Sequence, residues 1–385
     1  MNKDLVIGFD AKRAVANGTG LGSYSRTLIN DLARYPLSLR LYAPDEGRYD
    51  LRSQIHDRDN VCFCYPAPSL FTSHFPLFTS YWRSHKIVCD LQRDGIQLYH
   101  GLSGELPVGI SRSGIPGVVT IHDLIFLRHP EYYHFIDRQI YAWKFRRTVR
   151  EATHIIAISE CTRRDILHYA PDVDPEKISV IYQSCAPKFN GSAVTESVEG
   201  LPSDLRSCRY ILNVGTIEAR KNVLLAVKAL EENDALPGDL HLVIVGRHTS
   251  YTDEVSRYVR AHGLDSRVHI LHGVSDAELP ALYAGAEAFV YPSRYEGFGI
   301  PIIEAISCGL PVVACSGSCL EEAGGPDTLY VDPDDPRAMA TAIRQVLKGA
   351  PGRDNRIVRS RTYIRRFEGN DVAGQVYRLY ERLIK

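Results

Sequence analysis

The sequence predicts an α/β protein made of two successive halves of similar size, each a parallel sheet with helices packed on it. Three observations carry this. Short, β-branched apolar runs recur along the chain with amphipathic segments between them, the pattern of right-handed strand–helix–strand crossovers. The series stops at a polar stretch, 192–207, that carries Gly, Pro and Ser, and then restarts, as a linker or surface loop would make it do. The length, 385 residues, is enough for two or three domains with their own cores at roughly 150 residues each.

In the first half the strand-like runs are LVIGFD (5–10), LRLYAP (39–44), QLYHG (97–101), GVVTIHD (117–123), HIIAIS (154–159) and ISVIYQ (178–183). GLGSYSRTLINDLARY (20–35) has apolar residues at helical spacing, so a helix is expected there. Cys62 and Cys64 read as alternate positions on one strand face. The second half repeats the scheme with YILNVG (210–215), LHLVIVG (240–246), RVHILHG (267–273), AFVYPS (288–293), LPVVAC (310–315) and LYVDP (329–333). The tail has apolar residues at 372, 376, 379, 380 and 383, a helix with a single packing face. The expected domains are therefore 1–188 and 189–367, with a terminal helix over 368–385. Open α/β sheets bind ligands beyond the carboxyl ends of their strands, so two such domains facing each other predict a site in the cleft between them.

Composition narrows the function classes. Basic residues number 45 and acidic residues 46, a balance that argues against nucleic acid as a partner. The first residues contain too short an apolar run for a signal peptide, and no stretch is apolar enough to predict a spanning helix. The nine cysteines are irregularly spaced and read as reduced thiols of a cytoplasmic protein. No Cys/His grouping has zinc-finger spacing.

The most informative segment is SRYEGFGIPIIEAISCGLPVVA, 293–314. AFVYPS reads as a buried strand, Pro301 suits the first turn of a helix, and Gly309 suits its C-terminal cap. The intervening EGFG is then a strand-to-helix turn whose backbone amides attract phosphate oxygens and other electronegative groups. Gly297 and Gly299 let a ligand approach the backbone. Glu296 before the turn and Glu304 one turn into the helix can each accept hydrogen bonds from vicinal hydroxyls. Read without that ligand, Glu296 caps the helix and Glu304 lies on its solvated face; but Glu304 sits in the apolar run IPIIEAI, where an unpartnered carboxylate is costly.

Arg220 and Lys221 stand near the start of another helix, after the strand YILNVG. Cations there oppose the helix dipole, and a bound anion relieves the conflict; the plain alternative is an exposed charged turn. GTGLGSYS (18–25) contains Gly18, Gly20 and Gly22, but it follows Asp10 at too long a distance and with the wrong third spacing for a dinucleotide fingerprint. A helix beginning near Gly20 still offers its N-terminus to a phosphate. His122 and Asp123 end the strand GVVTIHD, and His100 ends another strand. Asp332 and Asp334 have the Asp-x-Asp spacing of a metal clamp, yet a turn and helix cap account for them fully, and no metal is expected. RQIYAWKFRRTVR (138–150) is basic with interleaved aromatics and SLFTSHFPLFTSYWR (69–83) is apolar. Both patterns suit an ordinary helix and a packed loop; the first also suits docking on anionic lipid headgroups or on an anionic partner, and the second contact with a lipid-linked one.

YEGFGIPIIEA resembles the Glu-seven-residues-Glu signature of retaining, nucleotide-sugar-dependent glycosyltransferases of family 4 (glycosyl transferases group 1, mannosyltransferase-like). Their architecture is GT-B: two Rossmann-like domains with parallel sheets facing a cleft. NGTGLGSYSRTLI, TIHDLIFLRHPEYY, AISECTRRDI, NVGTIEARKN, GVSDAELPALYAGA and VDPDDPRAMATAI are similar to further family motifs in the family's order, so the resemblance spans nearly the whole chain.

The resemblance implies a hexose transferred from a nucleotide diphosphate sugar, GDP-mannose or a UDP-hexose, to a hydroxyl of a glycan or lipid-linked acceptor, with retention at the anomeric carbon. It gives Glu296 the transferred sugar and Glu304 the ribose hydroxyls. The amides of Gly297, Phe298 and Gly299, continuing to Ile300, take the sugar and phosphate. It gives Lys221, with Arg220, the diphosphate, and places Gly20 and Gly22 by the donor phosphates, Val274 by the base, and His122 in a catalytic position near the reacting end. Many relatives carry an Arg where this chain has Thr216, and Arg247 is the residue nearby that could compensate. The terminal helix is expected to pack back on the first domain, and His100 to face the acceptor. No cofactor is implied, the nucleotide-sugar being a substrate, and the expected location is cytoplasmic with peripheral contact at the inner membrane face. Three rivals stand beside this reading: a nucleotide-sugar 2-epimerase of the same fold, a non-catalytic sugar-nucleotide-binding protein, and a dehydrogenase.

Overall fold

The computed structural model describes residues 5–66, 80–189, 205–232, 235–367 and 369–384. The chain divides into two compact units, one of Met1–Tyr182 with Asp371–Lys385 and one of Gln183–Asn370.

The first unit is a seven-stranded sheet in the order β3-β2-β1-β4-β5-β6-β7, every pair parallel. Its strands are β1 (Leu5–Asp10), β2 (Leu37–Tyr42), β3 (Val61–Cys64), β4 (Leu98–Gly101), β5 (Gly117–Ile121), β6 (His154–Ala157) and β7 (Ile178–Val180). The central strands read as continuous apolar runs because helices cover both faces of a parallel sheet; Ile7, Phe9, Leu98, Val118 and Ile156 are fully enclosed. Helix α1 (Gly20–Leu32) starts after an extended Thr19 and buries Leu28, Ile29 and Leu32. Helix α2 (Phe135–Glu151) precedes β6.

The second unit is a six-stranded parallel sheet in the order β10-β9-β8-β11-β12-β13. It comprises β8 (Arg209–Val214), β9 (Leu240–Val245), β10 (Val268–Leu271), β11 (Ala288–Tyr291), β12 (Val312–Cys315) and β13 (Leu329–Val331). Helices α3 (Val223–Ala229), α4 (Ile300–Ser307) and α5 (Pro336–Arg344) belong to it. The segment after Tyr182 sits with this unit: the Phe189 ring meets Tyr283 edge-on at 5.4 Å, and Lys188 pairs with Asp276 at 3.2 Å.

The chain returns to the first unit as α6 (Val372–Ile384), which buries Ala373, Val376, Leu379 and Tyr380 and packs against α1. The Tyr380 hydroxyl bonds Nδ1 of His100 at 2.5 Å, and Nε2 of the same ring bonds Thr120 Oγ1 at 2.8 Å. His100 has no exposed surface. It therefore ties the terminal helix to the sheet, and the expectation that it faces an acceptor is corrected. Burial holds its pKa down to about 3, so the ring stays neutral in the core.

In each sheet one pair of neighbours marks where the chain reverses its direction of winding: β1 and β4 in the first, β8 and β11 in the second. Loops leaving the carboxyl ends of such a pair diverge and open a crevice.

Candidate active site

The second unit's crevice holds the clearest chemistry. After β8 the chain makes a 3₁₀ turn over Ala219–Lys221, and Asn222 takes a left-handed conformation with φ of 52° before α3 begins. The Asn222 side chain donates to the Pro333 carbonyl at 2.8 Å, which anchors this unusual backbone. After β11 come Pro292, Ser293 and the turn to α4. The two loops meet at Glu296. Its Oε1 accepts from Lys221 Nζ at 2.5 Å, Ser293 Oγ at 2.5 Å and the Tyr291 hydroxyl at 3.2 Å, while Oε2 lies 2.9 Å from Arg220 Nη1. Burial alone would raise the pKa of this enclosed carboxyl; Lys221 and Arg220 outweigh it and hold the value down to about 2.

The two cations differ. Arg220 also donates to the Tyr295 carbonyl at 2.5 Å and to Glu218 at 2.6 Å, and its own carbonyl accepts from the Arg294 amide at 3.0 Å. Its guanidinium fastens the two loops together. Among the described residues the Lys221 ammonium hydrogen-bonds only Glu296 and the Tyr291 hydroxyl, the latter at 2.8 Å, so a group with three donors keeps one for a further acceptor. The anion that relieves the charge at this turn is thus Glu296 itself.

The turn between Glu296 and α4 is built on a left-handed glycine. Gly299 has φ of +115°, and a Cβ there would come within 3.2 Å of Leu320 and 3.3 Å of Ala323, so any other residue is both strained and crowded. Cys319 Sγ bonds the carbonyls of Glu296 at 3.1 Å and Phe298 at 2.9 Å, turning those oxygens inward. The Phe298 ring is buried edge-on against Phe367, 5.3 Å between centroids, and so belongs to the core. Ile300 opens α4 with Pro301 behind it, and Gly309, at φ of +82°, ends the helix. Within α4, Glu304 Oε2 accepts from the Tyr283 hydroxyl at 3.0 Å. Burial pushes its carboxyl up to about 7, with the Tyr283 bond opposing the shift. Glu296 and Glu304 therefore differ in state: one is locked as a carboxylate, the other is poised to titrate near neutral pH.

The remaining second-unit positions are less enclosed. Val274 is half-buried in the loop after β10, and Arg247 is exposed. Asp332 and Asp334 form a turn in which the Asp334 amide donates to Asp332 at 2.8 Å; Asp334 pairs with Arg294, and Asp335 caps α5. Among the described residues no group of three His, Cys, Asp or Glu side chains is placed to hold a metal ion.

In the first unit, His122 follows β5. Its Nε2 donates to the Leu102 carbonyl at 2.9 Å, which fixes the tautomer and leaves the lone pair on Nδ1. The Tyr24 ring from α1 meets the imidazole edge-on at 4.8 Å, and the Tyr24 hydroxyl bonds Thr120 at 3.3 Å. Burial holds the His122 pKa down to about 4, so the ring is a neutral hydrogen-bonding group near pH 7. Asp123 accepts from the Ile125 amide at 3.2 Å and so holds the following turn. The glycines of the loop separate by task. Gly20 opens α1 with nothing within 4 Å of a notional Cβ, whereas a Cβ on Gly22 would lie 1.8 Å from the Asn17 carbonyl. Packing against Asn17 therefore requires glycine at position 22.

Sequence reasoning did not single out Tyr283, Tyr291, Ser293, Cys319 or Tyr24. Ser293 and Tyr291 carried a local signal, since both lie just before Glu296 at a strand end. Tyr283, Cys319 and Tyr24 carried none, because their partners are distant in sequence.

The chain is similar to known glycosyltransferases along most of its length. The model described as Glycosyl transferases group 1 matches residues 206–362, and that described as Glycosyltransferase Family 4 matches residues 18–185. The O-antigen chain mannosyltransferase B of Escherichia coli is 30% identical over 382 residues, covering 95% of this chain and 96% of the relative. The O-antigen chain mannosyltransferase RfbU of Salmonella typhimurium is 32% identical over 59% of this chain and 60% of its own. Among solved structures, a sucrose-phosphate synthase from Thermosynechococcus elongatus superposes with a TM-score of 0.77 at 20% identity over 98% of this chain and 99% of its own. Anabaena Alr3699/HepE in complex with UDP gives 0.73 at 17% identity, covering 98% of this chain and 100% of that one. With its two parallel-sheet units and its ordered motifs, the chain belongs to the GT-B glycosyltransferases of group 1 and family 4.

Proposed function

We propose that this chain is a retaining hexosyltransferase, most plainly a mannosyltransferase of polysaccharide biosynthesis, using GDP-mannose or a UDP-hexose. The activities for which its bacterial relatives are named support the sugar and the setting. The observation that carries the donor reading is the carboxylate pair on either side of the Gly297–Gly299 turn, with Lys221 beside the first. Glu296, ionised and oriented by four donors, accepts hydroxyls of the transferred sugar. Glu304 takes the ribose hydroxyls, and the amides of Gly297 to Ile300 face the sugar and phosphate. The base rests near Val274. The diphosphate accepts the remaining donor of Lys221, stabilising the charge that grows as the bond to C1 breaks. Arg220 contributes by holding Lys221 and Glu296 in register.

In a front-face reaction the C1–phosphate bond breaks, the acceptor oxygen bonds C1 on the same face, and the acceptor's proton passes to the departing β-phosphate. No protein nucleophile is required. For His122 the proposal is a catalytic role through its open Nδ1, with Gly20 presenting the first turn of α1 to a phosphate. The acceptor is a glycan or lipid-linked glycan, and the chain works in the cytoplasm, in peripheral contact with the inner membrane face.

A thermal-shift and hydrolysis panel of nucleotide-sugars, repeated with Glu304→Ala and Lys221→Ala, tests the site. Donor stabilisation is expected for the wild type and lost in both variants; stabilisation unchanged in both removes the assigned site. The anomeric configuration of the product, read by NMR, tests retention. Release of an isomerised nucleotide-sugar with no free nucleoside diphosphate would favour the epimerase instead.

A further inference from the structure

We infer that Tyr24 is a ligand-binding residue that works beside His122, its hydroxyl hydrogen kept free for a saccharide hydroxyl by a hydrogen-bonded chain that ends at Tyr380; this rests on the reading of His122 as a residue of the transfer reaction. The chain crosses four elements. The Tyr380 hydroxyl on α6 lies 2.5 Å from Nδ1 of His100 on β4, and Nε2 of that ring lies 2.8 Å from Thr120 Oγ1 on β5. Thr120 Oγ1 lies 3.3 Å from the Tyr24 hydroxyl on α1. Tyr380, His100 and Thr120 have no exposed surface, whereas Tyr24 is half-buried.

Burial fixes which way the hydrogens point. Each hydroxyl has one hydrogen to give, and a neutral imidazole has one N–H and one lone pair. His100 is neutral, because burial holds its pKa down to about 3. Among the described residues the Tyr380 hydroxyl has no hydrogen-bond partner but His100. Were Nδ1 to carry the ring hydrogen, the Tyr380 hydrogen would be enclosed without an acceptor, and an unmet buried donor is costly. Tyr380 therefore donates to Nδ1, Nε2–H donates to Thr120, and Thr120 donates to Tyr24. Every link is then committed. The hydrogen left over belongs to Tyr24, the one member of the chain with exposed surface.

Its neighbour complements it. The Tyr24 ring meets the His122 imidazole edge-on at 4.8 Å, and His122 commits Nε2 to the Leu102 carbonyl at 2.9 Å, which leaves the Nδ1 lone pair. Burial keeps both groups neutral, raising the Tyr24 pKa to about 12 and lowering that of His122 to about 4. A free donor beside a free acceptor suits a ligand group that is both. A sugar hydroxyl gives its hydrogen to Nδ1 and accepts one from Tyr24. A fully ionised phosphate only accepts, and would set its own lone pairs against that of Nδ1.

Proton–nitrogen NMR correlations of the histidine rings in the full chain test the arrangement without any ligand, the His100 signals being assigned by their shift in Tyr380→Phe. His100 is expected to carry its hydrogen on Nε2. A hydrogen on Nδ1 reverses every link, turns the Tyr24 hydrogen back onto Thr120 and overturns the inference. Hydrolysis of the nucleotide-sugar that most raises the wild-type melting temperature tests the consequence. Tyr24→Phe should slow it about tenfold, the effect of one lost hydrogen bond. Tyr380→Phe opens His100 to either tautomer and should slow hydrolysis about twofold. It should make no further difference once Tyr24 is replaced by Phe, while lowering the melting temperature in both backgrounds. Full turnover in Tyr24→Phe, or a Tyr380→Phe loss of equal size in both backgrounds, refutes the role, since general damage to the fold does not depend on Tyr24. A wild type that turns over no nucleotide-sugar counts against the glycosyl-transfer reading alone, and the His100 tautomer still decides the chain.

Discussion

Replacing Glu304 by Gln should stabilise the second unit in a strongly pH-dependent way. Burial raises the Glu304 carboxyl from the ordinary 4.5 to about 7. Below pH 4 the folded and unfolded chains both hold the proton, and the residue contributes nothing to pH dependence. Between pH 4.5 and 7 the unfolded chain releases its proton while the folded chain keeps it, so wild-type stability falls as pH rises. Above pH 7 the loss levels off at about 3 kcal/mol, a tenfold difference in proton affinity between the folded and unfolded chains being worth about 1.4 kcal/mol. Glutamine keeps an acceptor for the Tyr283 hydroxyl and has no proton to lose. Its advantage should be near zero at pH 4.5 and approach that plateau at pH 8, about 6 to 12 °C in melting temperature for a unit of this size. Melts of the two proteins from pH 4.5 to 8 measure it. A difference that stays constant across that range refutes the argument. If Glu304 binds ribose as proposed, the same variant should bind donor about tenfold more weakly, a charge-assisted bond having become a neutral one. Wild-type donor affinity should rise between pH 6 and 8.

Other perturbations separate the site's parts. Lys221→Ala removes one partner of a buried carboxylate and should cost about 3 kcal/mol. Adding Glu296→Gln should recover part of that in a double-mutant cycle, and strict additivity would refute the pairing. Gly22→Ala should be severely destabilising because its Cβ would collide with the Asn17 carbonyl, whereas Gly20→Ala should melt like the wild type while lowering turnover; equal melting of the two variants contradicts the assignment. Tyr380→Phe should cost about 1–3 kcal/mol by stripping His100 of a buried partner, with donor-induced thermal shifts unchanged. His122→Ala should retain those shifts and lose turnover, and full turnover would remove His122 from the reaction.

Much of the fold was legible because a parallel sheet buried on both faces writes its central strands as uninterrupted apolar runs, and every such run became a strand. Strand β3 was visible only as the alternation at Cys62 and Cys64. The site was legible where chemistry is local: Pro301 inside the start of α4, Gly309 past its end, Glu304 in an apolar run. It was not legible where it depends on strand pairing. Nothing within the sequence near Arg220 and Lys221 says that their anion is Glu296, because β8 and β11 become neighbours only in the folded sheet. His100 shows the opposite failure. A strand-end histidine suggests a ligand site, but the Tyr380 hydroxyl that claims it arrives from the far end of the chain.

That late arrival bears on how the protein is made. Residues 371–384 are synthesised after the whole of 183–370, yet they complete the unit begun by residue 5. A nascent chain can close the middle portion while the opening portion still waits for its last helix. Until then the apolar side of α1 that Val376 and Leu379 cover is bare, and the His100 imidazole lacks its hydroxyl. Translation that halts before residue 371 should therefore leave a sound middle and an adhesive beginning, which is the kind of intermediate that chaperones hold.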